Sequence, residues 1–192
     1  MACDDGARPA VLTMNVNAPR LWLSIMLIAA MPHVYAAEDM RIVPLVRGNE
    51  LLISIELPEA YSAEIQQSIL SGLQTTFTYD VELRLAVPFW ADRTVASAVV
   101  NSTDRYDSLS GRHNLVRTVD GRVVEAVVAR DEEVVRVWLT TQSRLALFDT
   151  SRLEPNREYY VRVRAQGRPQ TGSLLARVTA AITGQVPFTF IP

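Results

Sequence analysis

From Thr76 to Val87 the chain alternates without a break. Phe77, Tyr79, Val81, Leu83, Leu85 and Val87 fall on one side, and Thr78, Asp80, Glu82, Arg84 and Ala86 on the other. Successive side chains of a strand point to opposite faces, so this pattern predicts a strand with one dry and one wet face. Burying a large apolar side chain contributes roughly 1.5–3 kcal/mol. A run of such positions therefore marks a core strand. Pro88 stops it, and Phe89-Trp90 turn the corner.

The rest of the chain is read around that strand. Met40 to Arg47 reads as a first strand that turns at Gly48-Asn49. Leu51, Ile53, Ile55 and Leu57 alternate with Leu52, Ser54 and Glu56 in a second, which Pro58 ends. Tyr61, Ile65, Ile69 and Leu73 recur every fourth residue and predict an amphipathic helix closed by Gly72. Thr94 to Tyr106 is strand-like. Asp120-Gly121 between two β-branched runs predicts a hairpin, because both residues tolerate the positive φ of a type I′ turn. The return run, Arg122 to Val128, is apolar on both faces and reads as a strand inside a sheet. Asp131-Glu132-Glu133 suits a helix N-terminus, although the valines that follow leave a strand as the alternative. After a turn at Leu153-Glu154-Pro155-Asn156, Glu158 to Gln166 again alternates, with Tyr159, Val161, Val163 and Ala165 inward. Leu174 to Ile182 fits a short helix, and the apolar tail Val186–Pro192 an added edge strand.

Hairpin spacing throughout predicts a mostly β fold, an antiparallel β-sandwich with one to three short helices. The alternative is an α+β layer with helices packed on one face of an antiparallel sheet. The 192 residues, 48% of them apolar, suffice for a real core. A formal charge of −2 argues against a nucleic-acid partner.

The N-terminus predicts export. Arg20 precedes the apolar run Leu21 to Met31, and Val34-Tyr35-Ala36 supplies a small-residue cleavage site. That run would rise about 16 Å as a helix, roughly half a bilayer core. The reading is therefore a signal peptide over 1–36 and one β-rich domain over 37–192, periplasmic or secreted. An inner-membrane anchor is the alternative if the leader is uncleaved. Cleavage removes Cys3 and His33, which leaves a chain with no cysteine and His113 as its one histidine.

That inventory is poor in chemistry. Zinc needs three or four converging ligands, so no metal or cofactor is expected. Tyr106, Asp107, Ser110 and His113 would have to meet in one cleft for a hydrolase, yet triad members usually come from separate elements, and no catalytic residue is assigned. Asp80, Glu82 and Arg84 share a strand face and read as a charge ladder. Candidates for a partner or ligand surface are Phe89, Trp90, Tyr160, Arg162 and Arg164. An aromatic at a strand end anchors partners well, while a corner tryptophan in the core is the plainer reading of Trp90. Trp138 reads as core.

Four stretches carry a family likeness. They are Ile69-Leu70-Ser71-Gly72-Leu73 with Phe77-Thr78-Tyr79-Asp80-Val81-Glu82-Leu83, Phe89-Trp90-Ala91-Asp92, Arg105-Tyr106-Asp107-Ser108-Leu109-Ser110, and Leu153-Glu154-Pro155 with Tyr159-Tyr160-Val161-Arg162-Val163-Arg164. In this order they resemble the bacterial domain-of-unknown-function family 4390, over roughly residues 40 to 175. The resemblance implies export and architecture, offers no catalytic residues, and leaves 176–192 unassigned. The expectation is a non-enzymatic envelope protein, a protein-interaction or accessory module with an unidentified envelope protein as partner. A periplasmic ligand carrier, an envelope hydrolase and a membrane-anchored sensory domain are the alternatives.

Overall fold

A computed structural model describes residues 40–169 and 181–191, all within one compact unit, Ala37–Pro192. The leader, and the helix expected from Leu174, lie outside the described residues, except that Ile182 opens a strand.

Among the described residues, nine strands form two antiparallel sheets. β1 (Arg41–Arg47), β2 (Glu50–Glu56) and β7 (Thr141–Asp149) make a three-stranded sheet in the order β1-β2-β7. β3 (Thr75–Leu85), β4 (Arg93–Asp107), β5 (Arg112–Val119), β6 (Arg122–Ala129), β8 (Glu158–Pro169) and β9 (Ile182–Thr189) make a six-stranded sheet in the order β6-β5-β4-β3-β8-β9. Two α-helices among the described residues, α1 (Ala63–Leu70) and α2 (Glu132–Thr140), complete the mostly β, sandwich-like fold that the alternation implied.

The dry face of β3 is the centre of the core. Phe77, Tyr79, Val81, Leu83 and Leu85 are buried, together with Val161, Val163 and Ala165 of β8, Leu51, Ile53 and Ile55 of β2, Ile65 and Ile69 of α1, and Val135, Trp138 and Leu139 of α2. The small sheet and both helices thus cover one face of the large sheet. Local chemistry ends each helix cleanly. The Ser62 hydroxyl accepts from Ile65 N at 3.3 Å to start α1, and Gly72, at φ +80°, reverses the chain after it. Asp131 caps α2 by accepting from Glu133 N at 2.8 Å, so the acidic trio marks a helix start and the strand alternative falls.

Two readings need correction. β6 is not inside a sheet: it is the outer edge of the large one, and Val123, Val124, Val127 and Val128 are all exposed. Its two apolar faces reflect an uncovered edge. β7 was not anticipated. It follows α2 with no glycine or proline between them, and its register against β2 slips twice. The hairpin turn at Asp120-Gly121 has the expected positive φ at both residues, +49° and +79°. The C-terminal segment does add an edge strand, β9, which pairs with β8.

Candidate partner-binding surface

The β3–β4 connection is a turn with an unusual occupant. Trp90 N donates to Val87 O at 3.2 Å, and Pro88 holds the second position at its preferred φ. Phe89 then takes φ +64°, a left-handed conformation that such turns normally assign to glycine. Both rings stand in solvent, with Phe89 fully exposed and Trp90 81% exposed. Asp92 pins the turn from behind. Its carboxylate accepts from Val87 N at 3.2 Å and from the Tyr160 hydroxyl at 2.8 Å, and its carbonyl accepts from Arg84 at 3.0 Å. The Tyr160 hydroxyl bond, with help from Val87 N, holds the Asp92 carboxyl below the usual carboxylate range.

From Tyr160 the network runs onto the outer face of the large sheet. Arg84 lies 5.9 Å from the Tyr160 ring centroid, and Glu82 draws in Arg84 at 3.5 Å and Arg162 at 3.9 Å. Arg164 stands further along, opposite Asp80 in the strand register. Asp80, Glu82, Ser97, Arg162 and Arg164 line a shallow cavity of about 530 Å³. Tyr160 and Arg162 are therefore joined through Asp92, Arg84 and Glu82, and Asp92 ties that face to the backbone of the turn that carries Phe89 and Trp90. Arg164 sits at the margin of that face.

Tyr106, Asp107, Ser110 and His113 do not form a site. Asp107 closes the exposed β4–β5 turn by accepting from Ser110 Oγ at 2.6 Å and from Leu109 N at 3.0 Å. His113 is buried and turns instead to Asp104, its Nδ1 2.9 Å from Oδ2, with the Tyr106 ring 4.6 Å away. Burial pushes the Asp104 carboxyl above its ordinary range, against the opposing pull of His113.

A second buried polar group went unread in the sequence. Arg117 donates to Ser102 Oγ at 3.3 Å, Glu125 Oε2 at 2.7 Å and Trp138 O at 3.2 Å, and its guanidinium lies 4.1 Å from the Trp138 ring centroid. It shares an inward phase with His113 and Leu115 along β5. That phase was the available signal. The contacts tie β5, β6, β4 and α2 together and leave the cation paired, which is a packing role.

No curated protein and no solved structure matches the chain. A family model described as a domain of unknown function, DUF4390, matches residues 36–186. The match runs past residue 175, so most of β9 lies within the family's pattern. Spanning the helix-to-strand, aromatic-turn and β8 stretches alike, it shows that the chain belongs to the domain-of-unknown-function family DUF4390.

Proposed function

We propose that this protein is a non-enzymatic exported envelope protein that recognises another envelope protein through the Phe89–Trp90 turn and the Tyr160–Arg162 face beside it. One observation carries the reading. A bulky aromatic occupies a left-handed turn position, at a cost of about 1–2 kcal/mol, while burying none of its ring. Strain held at a residue that contributes nothing to the core points to a role for its side chain outside the fold. Exposed aromatics flanked by arginine are also the residue types that dominate protein interfaces. Export rests on the leader sequence.

Photo-crosslinking in intact cells tests the surface. A photoreactive phenylalanine at 89 or 90 should join the protein to one envelope protein. The same group at Leu109, equally exposed on a different turn, should not. Equal labelling from all three positions, or a purified chain that turns over a substrate, would end the proposal. N-terminal sequencing of the exported protein tests the leader, with Ala37 as the expected first residue.

A further inference from the structure

We propose that the free edge of β6 pairs antiparallel with β6 of a second copy, joining the two six-stranded sheets about a two-fold axis at Val127. This surface is separate from the aromatic turn and does not depend on it.

The sheet edges differ in how they are protected. Among the described residues the edge strands are β1 and β7 of the small sheet and β6 and β9 of the large one. An open edge invites another strand, and proteins blunt it with proline, irregularity or cover. β1 carries Pro44 and β9 carries Pro187, each lacking a backbone donor. β7 slips register twice and holds Arg144 at φ +49°. β6 has one irregularity, near Val124, and then runs regularly from Glu125 to Ala129 against Arg117 to His113. That stretch has no proline, and both of its faces are apolar and open: Val128 is 60% exposed on the outer one and Val127 40% on the inner one.

The register of β6 also suits a second copy. In a two-residue hairpin the flanking pair, here Val119 and Arg122, exchanges both of its hydrogen bonds, and bonded and non-bonded pairs then alternate. With the extra residue taken up at Val124, Ala126 and Val128 turn their N–H and C=O away from β5. A second β6 centred on Val127 sets Ala126 opposite Val128 twice, and each such pair can exchange two bonds. The small side chain meets the larger one on the outer face. Val127 meets its own copy on the inner face, two residues along from Glu125, which lines a pocket with Val134 and Val137, the exposed valines of α2. A strand whose bonding groups and side chains complement themselves about a two-fold axis fits a second copy better than an unrelated chain.

Charge is complementary in the same register. Arg122 forms no ion pair among the described residues. This register carries it toward Asp131, Glu132 and Glu133 at the start of the partner's α2, where a helix N-terminus already gathers negative charge.

Sedimentation velocity of the full chain over the micromolar range should show a reversible dimer. Val128→Pro removes a donor that faces away from β5, so it should leave the β5–β6 ladder intact and weaken association by roughly tenfold or more. Val128→Lys, which needs no backbone change, should do the same if the proline variant fails to fold. In a Cys3→Ser background, Val127→Cys should give a disulfide-linked dimer, because non-bonded antiparallel pairs bring Cα atoms to about 4.5 Å, within disulfide reach. Val123→Cys should not. A chain that stays monomeric throughout overturns the proposal. So does a dimer that survives both Val128 variants, or one that Val123→Cys links as readily as Val127→Cys.

Discussion

At Phe89 the backbone and the side chain pull in opposite directions. The turn wants glycine at φ +64°, and the ring gains nothing from the core. Phe89→Gly should therefore raise stability in urea by about 0.5–1 kcal/mol, the left-handed strain less the greater freedom of glycine in the unfolded chain. Trp90→Ala should leave stability within about 0.5 kcal/mol. Both should abolish crosslinking from the neighbouring position. The aromatic pair and the proline before it were readable in the sequence, because exposed turn chemistry is local. Asp104 was not. It reaches His113 across a hairpin, and nothing near it in the chain announces the partner. Its pH behaviour follows from the sign of its displacement. Burial raises the folded-state pKa above the unfolded value of about 3.9, so the unfolded chain gives up the proton first. Its contribution is then most favourable below the unfolded value and declines as pH rises through the folded one. Asn keeps an acceptor for His113 and cannot ionise. Urea titrations of wild type and Asp104→Asn should thus show wild type losing ground to the variant as pH rises above about 4.

At the scale of elements, the same residue types meet opposite fates. Leu83 on β3 and Val123 on β6 both sit in apolar strand sequence, yet Leu83 is buried and Val123 is 64% exposed. Leu83→Ala should cost about 2–5 kcal/mol in urea unfolding. Val123→Ala should stay within about 0.5 kcal/mol. β3 was legible because a strand buried on one side writes its burial as alternation, and β8 repeats the rule. β6 was misread because apolarity on both faces describes equally well a strand with neighbours on both sides and one whose edge is left open. Only the sheet order separates the two cases. β7 escaped notice for a different reason. Its slips against β2 and the left-handed Arg144 break the period of two on which strand reading depends.

The molecule as a whole is held at the seam where the two sheets meet, and that seam has a narrow point. β1 of the small sheet comes over β9 of the large one at Gly184. A Cβ there would lie 3.0 Å from Met40 Sδ and 3.1 Å from Ile42 Cδ1. The backbone at Gly184 is not left-handed, so space and not conformation demands the glycine. Met40 and Ile42 meet it with the far ends of flexible side chains, so Gly184→Ala should cost less than about 1 kcal/mol as they give way. Gly184→Val adds two methyls at the same point and must part β1 from β9 or force side chains off their rotamers, for about 1–3 kcal/mol in urea unfolding. If the clash is with Ile42, shortening that side chain should relieve it. In the double variant Gly184→Val/Ile42→Ala, the loss should then fall short of the sum of the single losses by at least about 0.5 kcal/mol, the coupling expected of residues in contact. Strict additivity would mean that the seam yields elsewhere and that Ile42 is not what holds the sheets at this distance.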